Sequence, residues 1–230
     1  MAPTSGTYNF QLNIIDIIGE AWERVGGNVT TGNEYISARR SIDLLFRDME
    51  NRGSALFLIN EYSQAVVAGT TSYYLEPEIL DIASALVRTS SGGVNTDTGL
   101  TPLSRGDYLA QPNKATTGRL SNYYVDKQRA GEALIYVWPV GDSTESATLK
   151  YWGVTRHQDA GAFSNAPDLR SNYLPALVSG LAYFLAMKRP EVAVERLALM
   201  KAQYEQDYKL AFESDRQWVR TRIVPDLRMR

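Results

Sequence analysis

The chain has 230 residues, enough for one large domain or two small ones. Hydrophobic residues make up 44 % and charged residues 22 %, an ordinary globular balance, and a formal net charge of −2 gives no global attraction to nucleic acid. With no cysteine in the chain, disulfides and thiolate-held metals are excluded.

Residues 1–8 read as a flexible arm without the basic and apolar regions of a secretion signal. Phe10, Ile14, Ile17, Ile18, Ala21 and Val25 then share one helical face, predicting a helix from about Asn9 to Val25 that Gly26-Gly27 ends. After a short turn, Tyr35, Ala38, Ile42, Leu45 and Met49 recur at spacings of three and four, with Phe46 widening the stripe. This predicts an amphipathic helix over Glu34 to Gly53, with Asn33 as N-cap, and antiparallel packing against the first helix.

The texture then turns to β. Tyr62 to Val67 and Ser72 to Leu75 read as strand, turn, strand. Pro77–Leu80 reads as a brief helical turn, with a strand from about Ile82, and Ser90 to Thr98 reads as loop by composition. Ser104 caps a short helix, Arg105 to Ala110, which Pro112 terminates. Strands follow at Asn122–Asp126, Ala133–Trp138 and Ala147–Val154, so residues 56–156 form a compact antiparallel β region.

Residues 157–168 read as a linker. Leu174, Leu177, Val178, Leu181, Phe184 and Leu185 then mark a helix apolar almost all round, the central one. The apolar stretch Tyr173 to Met187 falls short of the about 20 residues a bilayer span needs and is interrupted by Pro175, Ser179 and Gly180. It is expected as a buried helix of a soluble protein made in a cytoplasm. From Ala193 a long last helix carries Leu197, Met200, Tyr204, Tyr208 and Ala211 inward and runs to about Trp218. The expected architecture is α+β: a four-helix bundle built from both chain ends (1–55 and 165–230), with an antiparallel β-sandwich-like module (56–164) inserted.

Motifs that carry chemistry are scarce. The single histidine, His157, sits among linker residues and reads as solvated rather than as a catalytic base. No metal-ligand spacing and no phosphate-binding glycine motif is present, so no catalytic, cofactor or metal residue is assigned. Tyr62, Tyr73, Tyr74, Tyr123, Tyr124, Tyr136, Trp138, Tyr151 and Trp152 concentrate in the β region. They suit sandwich packing, a tyrosine-rich protein interface, or a stacking platform for sugars or bases. The C-terminus is the one charge asymmetry: Arg216, Arg220, Arg222, Arg228 and Arg230 alternate with Trp218, Ile223, Val224, Leu227 and Met229 against Asp226 alone. Three readings fit it: a frayed end, a segment that docks on a partner, and a phosphate binder.

Several stretches in this order resemble one family: ARRSIDLLFRDMENRG with its apolar run, TTSYYLEPEILDI, LSRGDYLAQPNKATTGR, IYVWPVGD, and YLPALVSGLAYFLAMKRP before YEQDYKLAFESDR. They are similar to the head-to-tail adaptors of short-tailed bacteriophages, the tail tubular protein A type and related DNA-packaging stabilisation proteins, from about residue 10 to 224. The resemblance implies a non-enzymatic virion protein without cofactors. Such adaptors form a ring, typically of twelve copies, that joins the portal at the capsid vertex to the tail nozzle, with a tail fibre as a further possible neighbour. DNA passes through the channel without sequence-specific binding, and no membrane is involved. By position, Arg216, Trp218, Arg220, Arg222, Ile223, Val224, Leu227, Arg228 and Arg230 become candidates for an arm reaching the portal. Arg39, Arg40, Asp43, Arg47, Asp48 and Glu50 become candidates for contacts between ring subunits, with a merely solvated helix face as the alternative. A tail module binding a host receptor or glycan through the aromatic β surface, and a DNA-binding protein using the arginine tail, are the competing classes.

Overall fold

The computed structural model describes residues 5–7, 10–29, 31–53, 56–127, 133–142 and 146–215. In chain order the elements are α1 (Ile14–Val25), α2 (Gly32–Arg52), β1 (Ile59–Ala65), β2 (Ser72–Tyr74), β3 (Ile79–Ser91), β4 (Val94–Gly99), β5 (Thr101–Pro102), α3 (Arg105–Ala110), β6 (Asn122–Asp126), β7 (Leu134–Trp138), β8 (Ser146–Thr155), α4 (Leu174–Ala186) and α5 (Val194–Ser214). They fall into two compact units, residues 1–41 with 169–230, and residues 42–168.

In the first unit α1 packs on α4, and α4 on α5. Ile14, Ile17, Ile18, Ala21, Trp22 and Val25 are buried, as their helical spacing requires. The helix starts later than the apolar stripe suggests, because the Asp16 carboxylate accepts from the Asn13 N–H at 3.2 Å and closes the first turn there. α4 buries Leu174, Leu177, Val178, Leu181 and Leu185 together with its small residues. Tyr204, Tyr208 and Ala211 are the buried residues of α5. The first turns of α2 are tied to the end of α4: Lys188 Nζ donates to Ser41 Oγ at 2.6 Å and Ser37 Oγ at 3.0 Å, and Arg189 pairs with Glu34 at 2.9 Å. Arg189 also lies over the Trp22 ring, 4.3 Å from its centroid. The cap of α2 is Thr31, not Asn33. Its hydroxyl accepts from the Glu34 N–H at 3.3 Å while Glu34 accepts from the Thr31 N–H at 3.0 Å, a reciprocal box that Asn33 cannot make from inside the first turn.

The α+β class holds, but a four-helix bundle from both chain ends does not form. The unit division falls inside α2, between Ser41 and Ile42. Its C-terminal half belongs to the β-containing unit, where Phe46, Arg47 and Glu50 engage residues 157–159. An apolar stripe continuous to Met49 fixes a helix but says nothing about what each half of it meets.

The second unit holds two four-stranded sheets, in the orders β1-β8-β3-β4 and β2-β7-β6-β5. Among the described residues these strands pair antiparallel except β5 with β6, and an isolated parallel bridge joins Thr117 to Val140. Ile82, Val87, Leu149 and Tyr151 from one sheet meet Tyr73, Tyr123, Ile135 and Val137 from the other in one core. Along β7 the burial alternates, Ile135 and Val137 inward and Leu134, Tyr136 and Trp138 less buried, the period of a strand with one core face. β1 and β2 do not pair with each other: the turn closed by Thr70 N–H to Val67 O at 3.1 Å carries the chain between the sheets. The expected helical turn at Pro77–Leu80 is a tight turn, Ile79 N–H to Glu76 O at 2.9 Å, that opens straight into β3.

The segment read as a loop, Ser90 to Thr98, is instead a hairpin. Gly92 and Gly93 take φ of 57° and 81°, the left-handed pair that a two-residue hairpin turn requires, and β4 returns from Val94. β4 is exposed along most of its length, so no apolar alternation marks it as a strand.

Each unit holds one tyrosine whose phenol is strongly shifted by its own surroundings. Burial first, then the hydrogen bond to Glu78, pushes the Tyr62 phenol up to about 12. Burial first, then the nearby Asp215 carboxylate, pushes Tyr173 up to about 12. An ordinary phenol titrates near about 10, so between those values the folded chain keeps protons that the unfolded chain has released. This contribution to stability is fully present below about pH 10 and is lost as pH rises toward 12. Ultraviolet titration should show two tyrosines ionising last. Tyr62→Phe and Tyr173→Phe should each remove one of them and flatten the alkaline loss of stability.

Candidate functional site

The polar face of α2 is the densest cluster of charge that the sequence singles out. Arg47 forks between Glu50 at 2.6 Å and Asp159 at 2.8 Å. The Glu50 carboxylate also accepts the His157 N–H at 2.7 Å, and Asp43 accepts the Ala160 N–H at 2.8 Å. Burial acts to lower the Arg47 pKa, but hydrogen bonding and attraction to Glu50 and Asp159 together outweigh it and hold the guanidinium above its ordinary value. Three of the six candidate subunit-contact residues therefore fasten the 157–160 segment to their own helix. Asp48 pairs with Arg52 at 2.9 Å on the same helix, Arg39 is half-buried and Arg40 is exposed.

His157 is not solvated. It is 3 % exposed, stacked on Phe46 with centroids 5.3 Å apart, tilted against Phe57, and joined through Nδ1 to the Asp168 carbonyl at 3.0 Å. A ring sealed between two phenylalanines packs the segment, and the geometry offers no open face to a substrate.

The aromatic residues of the β region divide by the strand period. Tyr73, Tyr123 and Tyr151 are core residues. On the other face, Tyr124 and Tyr136 stack at 5.9 Å and are covered by Tyr108 of α3, 5.3 and 5.2 Å from them. The Ser104 hydroxyl, accepting from the Asp107 N–H at 3.2 Å, starts α3 where its Tyr108 can close the stack. Tyr74, at 67 %, is the only one of the nine singled-out aromatics that is exposed. Of the three readings of this cluster, packing accounts for Tyr73, Tyr123 and Tyr151 in the core and for Tyr124 and Tyr136 under Tyr108.

The candidate arm residues Arg216, Trp218, Arg220, Arg222, Ile223, Val224, Leu227, Arg228 and Arg230 lie outside the described residues. The residue before them is firmly placed. Buried Asp215 pairs with Arg170 at 3.0 Å, and the Asn172 amide donates to Ser214 Oγ at 2.7 Å. Among the described residues, no group of three or more His, Cys, Asp or Glu side chains could hold a metal ion, and no helix is long and apolar enough to cross a membrane.

Sequence reading missed the partners of α2. Arg47 and Glu50 are visible as an i, i+3 pair, but Asp159 and the His157 amide lie more than a hundred residues away and carry no periodic signal. It also missed a groove of about 840 Å³ beside α1, whose trace in the sequence is the apolar residues Phe10 and Ile15.

No curated protein matches the chain. A family model, that of the SU10 adaptor protein, matches residues 12–226. The resemblance read from the residue order holds at the level of an adaptor family, while the tail tubular protein A type and the short-tailed subtype are finer than the match reaches. Spanning nearly the whole chain, the match shows that this protein belongs to the SU10 adaptor protein family.

Proposed function

We propose that this chain is a structural phage adaptor, a virion component that forms a closed ring joining the portal to the tail. The family match over residues 12–226 is the observation that carries the reading. Burial of His157 between Phe46 and Phe57 gives the one histidine a packing role. The helical unit is the proposed ring-former around a DNA channel, the β unit the proposed face toward the tail nozzle, and residues 216–230 the proposed arm toward the portal. A closed ring repeats one modest contact in every subunit, so the joint is stronger than any single contact.

Imaging by negative stain of the protein mixed with the portal of its own phage tests the proposal. Rings stacked on portals are expected, and portals left bare at saturating adaptor would overturn it. Within that reading Arg40 is the residue to test first, being the exposed one of the six, whereas Asp43, Arg47 and Glu50 also hold their own chain. Arg40→Glu should raise the concentration needed for ring formation at least tenfold. It should leave thermal stability nearly unchanged, because surface substitutions usually stay within about 0.5 kcal/mol. Intact ring assembly by this variant would return α2 to a solvated face.

A further inference from the structure

The groove beside α1 lies wholly within the helical unit. Its exposed apolar surface comes from Pro175 of α4 together with Ile15 and Phe10, which are 43 % and 68 % exposed, over buried Leu174 and Val178. Its rim is acidic. Asp16, Glu20 and Glu23 line it, and the single base among the lining residues, Arg24, is already paired with Glu20 at 3.0 Å. An apolar trough with a negative rim suits an apolar segment carrying arginines.

The chain supplies such a segment and delivers it to the groove. α5 is pinned at its last residues by Arg170 to Asp215 and Asn172 to Ser214, and the residue between those two anchors, Ser171, lines the groove. Fifteen residues follow Asp215, with five arginines against one aspartate and with Trp218, Ile223, Val224, Leu227 and Met229 between them. Extended, they reach up to about 50 Å, more than twice the roughly 18 Å length of α1. Pro225 disfavours a continuous helix and favours an extended path along a trough. Tethering at the groove's edge gives the segment an effective concentration on the order of millimolar.

We infer that this groove holds the chain's own C-terminal segment, residues 216–230, within one copy. The inference does not depend on what that segment binds in an assembly. If it is also the portal arm, the groove keeps it on the body of the free subunit until a portal competes for it.

The natural absence of cysteine makes the test clean. Gly19→Cys is placed in the groove, where an added Cβ meets nothing within 4 Å, and is paired with Leu227→Cys in the full-length chain without portal. Mild oxidation should close an intramolecular disulfide at least ten times faster than in a control joining Leu227→Cys to Lys201→Cys on the exposed part of α5. Adding Glu20→Lys and Glu23→Lys should slow closure at least tenfold. A second pair, Arg24→Cys with Ile223→Cys, repeats the readout independently of Gly19. Closure of both pairs no faster than the control would overturn the inference, and so would disulfide-linked dimers in place of monomers, which would assign the groove to a neighbouring copy. Because no portal is present, either result leaves the adaptor reading untouched.

Discussion

Replacing Phe46 with alanine lowers the stability of the β-containing unit by about 3–5 kcal/mol, the largest loss expected from any single change described above. Phe46 is fully buried and its ring lies against His157, so the substitution removes a large apolar group and leaves a cavity beside an imidazole. The loss reaches the backbone as well. His157 is the point at which Glu50, through the peptide N–H, and Asp168, through its carbonyl to Nδ1, hold the segment after β8. Calorimetry should show unfolding at least 6 °C lower, scaling at about 2–4 °C per kcal/mol for a chain of this size. Since the protein has one histidine, its ring proton resonances are unambiguous and should move and broaden. Phe46→Leu, which keeps most of the volume, should recover more than half of the stability. An unchanged histidine signal in Phe46→Ala would show that the stack does not position the ring.

The second large effect is functional. Truncation after Asp215 should leave a folded chain that captures portal at least 100-fold less well. The cut falls beyond Ser214 and Asp215, the residues that Asn172 and Arg170 fasten, so the helical unit keeps its anchors. What is lost is a segment of five arginines with large apolar residues, the composition of interface anchors. In the proposed ring, repetition multiplies each lost contact, so the drop in capture should exceed the drop for a single subunit. A pull-down with portal measures it, with circular dichroism to show that the fold survives. Undiminished capture would remove the arm from residues 216–230.

Much of the secondary structure was legible in the sequence, for reasons that differ between elements. α1 and α4 declared themselves because burial against neighbouring helices imposes a period of 3.6, and β6, β7 and β8 because their residues alternate about one core. β4 was not legible, since a strand exposed on both faces has no alternation to show, and the turn glycines that form its hairpin read equally well as loop. The assignment of α2 to two units was also hidden, because its apolar stripe is continuous while the partners of its polar face come from residues 157–160. Of the candidate residues, the charges on α2 stand on one helix, while Asp43, Arg47 and Glu50 have partners in residues 157–160 that spacing along one helix cannot show.

The exposed β3–β4 hairpin also bears on solubility. β4 ends its sheet, and the outer rim of a sheet is a template on which another chain can add a strand. Its sequence, VNTDTG, offers one apolar side chain, and Arg88 reaches across from β3 to bind both oxygens of Asp97 at 2.6 and 2.7 Å. That hydrogen-bonded partner holds the Asp97 carboxyl below its ordinary pKa, so the rim stays charged into mildly acid solution. A charged pair on this rim thereby guards the β4 edge against strand-by-strand polymerisation.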